Sequence, residues 1–185
     1  MKVPDWKEIV RKGELWTDPE FKPDANALFV NGKNHKKQLK KKEEWEKYEW
    51  VRSAELFPDE DYSLYNVIEP EDVKQGNIDN CELLATLSGL AERDSTAGKK
   101  AGKMLRDIFL TKNLNDAGCY ALKVVINGEE RVVVVDDWIP VKKNKQGVIK
   151  PAFSKSRKGD NEIWPLLIEK AWAKICGSYE TSEGF

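Results

Sequence analysis

Apolar positions in this chain recur with periods that change from one segment to the next. Between Asn80 and Glu92 the leucines Leu83, Leu87 and Leu90 share one helical face, with Ala85 and Gly89 small enough to admit a close neighbour. Ala97 to Thr111 predicts a second helix, with Met104, Ile108 and Leu110 as its apolar set. The pattern then turns β-branched. Tyr120 to Ile126 and Arg131 to Val135 read as two strands, joined by Asn127-Gly128 as a tight hairpin turn and closed by Asp136-Asp137-Trp138-Ile139-Pro140. Helical spacing returns from about Ile163 to Cys176, with Asp160 or Asn161 as the expected cap and Gly177 where a C-terminal glycine belongs. Trp50 to Leu56 is a short amphipathic segment before the Phe57-Pro58-Asp59 turn, and Lys142 to Asp160 is a loop with room for a short strand at Val148-Ile149. The first thirty residues, broken by Thr17-Asp18-Pro19 and Lys22-Pro23-Asp24, predict an extended arm that packs a few aromatics.

Composition narrows the class. At 185 residues, with 40% hydrophobic content and seven tryptophans, the chain can bury a core and amounts to one domain. Lysine plus arginine (31) nearly cancels aspartate plus glutamate (32), so no global field points to nucleic acid or a membrane. No apolar run is long enough to span a bilayer, and the opening residues make no signal peptide. Three cysteines without a CxxC or Cys/His pairing argue against a disulfide scaffold or a zinc site and for reduced thiols in the cytoplasm. The lysines from Lys36 to Lys42, beside the only histidine, His35, could touch phosphates. Because Glu43 to Tyr48 reverses the charge, a solvated, Lys/Glu-paired face is the preferred reading, and no nucleic-acid partner is expected.

The stretch Gln75-Gly-Asn-Ile-Asp-Asn-Cys81 carries the chemistry, because it runs straight into the first helix. Unpaired N–H groups and the positive end of the helix dipole favour a reactive thiolate there. Gln75 can supply a side-chain amide donor for an oxyanion. The alternative is a cysteine that only packs a helix, the role expected of Cys119 and Cys176. Asp79 and Glu82 read as a capping box around Cys81, worth about 1 kcal/mol. The same two carboxylates predict a nucleophile less reactive than an uncrowded one. Glu169 and Lys170 read as structural charges on a patterned surface.

With these residues in view, the chain resembles the calpain family of calcium-dependent cysteine proteases. The segment at Cys81 is similar to that family's Gln-Gly-x-Leu-Gly-Asp-Cys signature. Trp50-Val-Arg-Ser-Ala-Glu-Leu56 resembles its Trp-x-Arg-Pro-x-Glu-Leu block, and Gly118 to Pro140 its Gly-x-Tyr hairpin ending in Val-Asp-Asp and a proline. Glu162-Ile-Trp-Pro-Leu-Leu-Ile-Glu-Lys-Ala-Trp-Ala-Lys174, followed by Gly177-Ser-Tyr, resembles its Glu-Phe-Trp helix. The resemblance implies an α+β, papain-like cysteine protease fold. Residues 1–13 would form an N-terminal arm and 14–185 the N-terminal lobe of the catalytic domain, with a central nucleophile helix and a small β element.

It further implies that Cys81 is the nucleophile, Gln75 the oxyanion donor, and Asp72 and Glu162 the acidic ligands of a calcium ion, Ca2+. The histidine base and its asparagine partner would lie on a C-terminal lobe absent from this chain, since His35 sits in a polar lysine-rich stretch. The expected activity is calcium-dependent intracellular endoproteolysis of protein substrates, with this half-domain inactive alone. The sequence departs from the family at Asp79 and Glu82, where a glycine and an aromatic are usual. That departure keeps open a non-catalytic scaffold or regulatory module.

Overall fold

A computed structural model describes residues 2–34, 40–58, 61–95, 102–157 and 159–184. The hairpin follows from its turn: β2 (Cys119–Ile126) and β3 (Glu129–Asp136) pair antiparallel, from Cys119 opposite Asp136 to Ile126 opposite Glu129. Asn127 and Gly128 take φ of 53° and 81°, the left-handed pair that a two-residue hairpin turn requires. At Asp137 the chain changes sheets. β4 (Trp138–Lys143) pairs antiparallel with both β1 (Glu49–Arg52) and β5 (Ile149–Pro151), in the order β1-β4-β5. Residues 138–140 therefore open a new strand and do not close the old one.

The described helices are α1 (Trp6–Lys12), α2 (Ala25–Leu28), α3 (Lys40–Trp45), α4 (Ser53–Leu56), α5 (Cys81–Ser95), α6 (Lys103–Ile108) and α7 (Trp164–Cys176). The main core sets Leu84, Leu87 and Ala91 of α5 and Trp164, Leu167 and Ala171 of α7 against Tyr120, Leu122, Val133 and Val135 of the hairpin. A second cluster gathers Phe21, Phe29, Trp45, Ile78, Phe153 and Tyr179, and a third lies beneath α1 at Ala117, Cys119, Ala121 and Val134. Burying these side chains is the main stabilising term.

Several expectations change. The arm is not extended: Asp5 caps α1 by accepting the Glu8 N–H at 3.1 Å, and Trp6, Ile9 and Val10 pack on the third cluster. On α5 the buried face is Leu84, Leu87 and Ala91, with Leu83 and Leu90 at its margins. Gly89 faces solvent, with nothing within 4 Å of where a Cβ would sit. The second predicted helix is only α6. After Ile108 the backbone straightens, and the N–H groups of Leu110 and Thr111 donate to the Ala121 carbonyl at 2.8 and 3.4 Å. The edge of β2 outcompetes helix continuation there, so Leu105 and Phe109 are buried while Met104 is exposed. The stretch 96–101 lies outside the described residues.

At α7 neither Asp160 nor Asn161 caps the helix. Ile163 holds the cap position without a side-chain bond, because the bridge between Ser63 and Glu162 fixes the chain entering it. Gly177 ends α7 as expected, at φ 100°. Glu169 and Lys170 are not surface charges. Both are buried, as is Lys174. Lys170 bonds Asp136 and the Trp138 carbonyl, and Lys174 meets Asp18 at 2.5 Å and the Val134 carbonyl at 2.7 Å. The Asp18 N–H closes the set by donating to Asp136 at 2.7 Å, which ties the N-terminal segment to β3 and α7.

Candidate active site

Residues 74 to 80 are laid down as a fixed rail leading into α5. Lys74 and Lys155 exchange backbone hydrogen bonds at 2.9 and 3.0 Å, and the Asn77 N–H donates to the Ala152 carbonyl at 2.9 Å. Gly76 lies so close to this segment that a Cβ there would stand 1.8 Å from the Phe153 carbonyl oxygen. Only glycine fits. The Trp45 indole donates to the Asn77 carbonyl at 3.0 Å, and the Asn77 amide donates to the Tyr48 hydroxyl at 2.6 Å. Ile78 is fully buried in the second cluster, so the strand cannot rotate about its axis without exposing it.

At the end of this rail Cys81 is exposed and is the first residue of a 15-residue helix. Its N–H belongs to the first turn, whose donors lack intrahelical acceptors. Asn80, not Asp79, precedes the helix and accepts the Leu84 N–H on its carbonyl at 3.2 Å. The expected capping box is therefore shifted out of register. Asp79 instead joins the C-terminal segment: its N–H donates to Glu183 at 3.1 Å, and its carbonyl accepts the Gly184 N–H at 3.1 Å. Glu183 in turn pairs with the buried Lys42 at 2.5 Å, whose ammonium sits 3.6 Å from the centre of the Trp45 ring. Lys42 is thus not available to a phosphate, while His35 to Leu39 lie outside the described residues, as do the side chains of Lys40 and Lys41.

Gln75 is exposed and donates through Nε2 to the Ile78 carbonyl at 2.8 Å. A primary amide has two N–H groups, so this bond fixes the side chain and leaves a second donor. The Asn80 amide donates to Glu169 Oε1 at 2.7 Å, and Glu169 Oε2 accepts both the N–H and the hydroxyl of Ser154 at 2.9 Å. Glu169 therefore joins the residue before Cys81 to the segment carrying the rail. Sequence reasoning missed this. The available signal was a Glu-Lys pair inside a helix apolar on every side, which marks burial and not a wet face.

Asp72 and Glu162 are both buried and close enough for the charge of Asp72 to act on Glu162. Asp72 ends the short turn Pro70–Asp72 and accepts the Glu69 N–H at 2.7 Å. Glu162 accepts the Asn66 N–H and, at 2.9 Å, the Trp164 indole. Burial pushes Asp72 up to about 6 and Glu162 to about 7. The Oδ1 atom of Asp72 is buried without a hydrogen bond, with Arg157 no nearer than 3.9 Å. A hard cation is the natural complement of such a pair. Among the described residues no group of three or more His, Cys, Asp or Glu side chains is placed to hold a metal, so any remaining ligands would be other oxygens.

Cys119 is buried and its thiol is pushed up to about 12, by burial first and then by Asp136 and Asp18; Cys176 is half-buried and raised by burial alone. Both are poorly placed to act as nucleophiles. No described helix is long and apolar enough to cross a membrane.

Residues 16–185 match the family described as calpain family cysteine protease. The maize calpain-type cysteine protease DEK1 is 35% identical over 182 residues and the rice calpain-type cysteine protease ADL1 34% over 177, each match covering 95% of this chain and 8% of the relative. The bovine calpain-1 catalytic subunit is 32% identical over 186 residues, covering 95% of this chain and 23% of that protein. The chain is thus a small part of the length of the relatives it matches. A family match across nearly the whole chain, with an exposed cysteine opening its longest described helix, places this protein in the calpain family of cysteine proteases.

Proposed function

We propose that residues 14–185 are the nucleophile-bearing, papain-like N-terminal lobe of a calcium-dependent intracellular cysteine endopeptidase. The observation that carries this is Cys81, exposed at the start of α5, with Gln75 anchored upstream by its bond to Ile78. In this reading Cys81 Sγ adds to the scissile carbonyl of an extended peptide. The resulting oxyanion meets the Cys81 N–H and the second N–H of Gln75, each such donor being worth about 3 kcal/mol of barrier. Collapse expels the amine and leaves a thioester on Sγ, which water hydrolyses. The proton on the thiol goes to a histidine, oriented by an asparagine, on a further lobe of the protein; residues 1–185 alone then do not turn over.

Asp72 and Glu162 would hold the calcium ion, which when bound supplies the charge that lets both buried carboxyls ionise. Asp72 and Glu162 then clamp the segment leading to Gln75 onto the start of α7. A second reading, a non-catalytic scaffold, draws support from Glu82, an acid beside the thiol where the family carries an aromatic. The full-length protein decides between them. With millimolar calcium it is expected to cleave an unfolded protein substrate, and Cys81→Ala abolishes the cleavage. A folded, calcium-loaded and inert protein would favour the scaffold.

A further inference from the structure

We infer that the cavity between β5, the end of α4 and the start of α7 is a binding site for an organic phosphate, a phosphate monoester carried on an apolar body; the inference stands apart from the protease reading. The cavity, about 610 Å³, has the size of a small-ligand site. Leu56, Phe57, Pro58, Ile149, Pro151 and Leu166 supply its apolar lining.

The charged lining is of one sign. Lys150, Lys155 and Arg157 line the cavity, and among the described residues no Asp or Glu does. Arg157 is committed, meeting Glu69 at 2.9 Å and Asp160 at 2.6 Å. Lys150 and the half-buried Lys155 enter no ion pair between described residues. Further positive charge gathers around them. Lys142 stands directly opposite Lys150 in the β4–β5 ladder, and Lys74 opposite Lys155 across the bridge that holds the rail. Like charges facing each other destabilise a sheet. The same sheet supplies an acid to Lys143, which meets Glu49 at 2.6 Å, but none to Lys142 or Lys150. Burial holds the Lys155 ammonium below the ordinary lysine value, and Lys142 and Lys150 push in the same direction. In a chain whose charges otherwise nearly cancel, an apolar cavity rimmed by uncommitted ammoniums concentrates anions. Ser156, also in the lining, accepts the Glu162 N–H at 3.3 Å and keeps its own O–H to donate. Two ammoniums and a hydroxyl suit the double charge and three terminal oxygens of a phosphate monoester. The apolar lining calls for a body attached to it, which inorganic phosphate lacks.

The test needs no turnover and uses the 185-residue chain. Calorimetric titrations compare naphthyl phosphate with naphthol, which lacks the charge, and with inorganic phosphate, which lacks the body. Naphthyl phosphate is expected to bind saturably and about tenfold more tightly than either. Lys150→Gln and Lys155→Gln should each weaken it about fivefold, whereas Lys143→Gln, outside the cavity, leaves it unchanged. A second measurement does not depend on any variant folding. Acetylation of the wild-type lysines with limiting reagent, mapped by mass spectrometry, should slow at Lys150 and Lys155 when the cavity is filled and stay the same at Lys143. A phosphotyrosine heptapeptide then separates two sources of the same chemistry: binding as tight as naphthyl phosphate assigns the site to a phosphorylated chain, and its exclusion assigns it to a free monoester. Absence of saturable binding, an affinity no better than that of inorganic phosphate, or protection spread evenly over the lysines would overturn the site.

Discussion

Two carboxyls, Asp72 and Glu162, are held where water cannot reach them, and each pays for that in proton affinity. Raised to about 6 and about 7, they bind protons more tightly in the folded chain than in the unfolded one. Without metal, the contribution of this pair to stability is therefore fully present below the ordinary carboxyl range and is lost as pH rises through these values. In the calcium reading proposed above, a divalent cation held by the ionised pair would reverse the preference. The expected outcome is a calcium-free melting temperature that falls between about pH 5 and pH 8, and a calcium-induced rise that is large at the upper end and gone below about pH 6. A calcium shift independent of pH, or unchanged in Asp72→Asn, would remove these residues from the metal site. Cys81 and Gln75 were legible in the sequence because what makes them notable is local: a donor, a turn and the start of an apolar helix. The burial of Asp72 was not, since it depends on the Pro70–Asp72 turn packing against α5 and on Arg157, far along the chain, coming beside it.

Helix α7 is where sequence pattern and packing part most clearly. Its leucines and alanines predicted a helix in the right place, yet Glu169, Lys170 and Lys174 are buried with them. An amphipathic reading assigns charges to solvent by default; here Asp136, Asp18, Asn80 and Ser154, all distant in sequence, complete them. Burial lowers the proton affinity of Lys170, and the neighbouring Asp136 acts against it. Lys170→Ala strands that carboxylate in the core and should cost about 3–5 kcal/mol in urea unfolding, as broken buried pairs do. A loss under about 1 kcal/mol would mean that the pair is solvated. The hairpin shows the opposite case. Asn127-Gly128 and its β-branched flanks fix the turn by local chemistry alone, and the structure keeps the turn and both strands, the second beginning at Glu129 instead of Arg131.

Across the molecule, the rail into α5 is assembled from parts that no local pattern links. Trp45 and Tyr48 hold it from the N-terminal side, residues 152–155 from behind, Glu169 from α7, and Glu183 and Gly184 from the last residues of the chain. The outcome is an exposed thiol on a rigid mount, as a preformed nucleophile requires. That Cys81 acts as this nucleophile is tested most directly by trapping the acyl-enzyme. The full-length protein, in calcium, is mixed with a peptide ester, quenched in acid and mapped by mass spectrometry. The expected result is an acyl group on Cys81 that needs calcium and is missing in Cys81→Ala. Hydrolysis without acylation of Cys81, or acylation at Cys176 instead, would contradict the assignment.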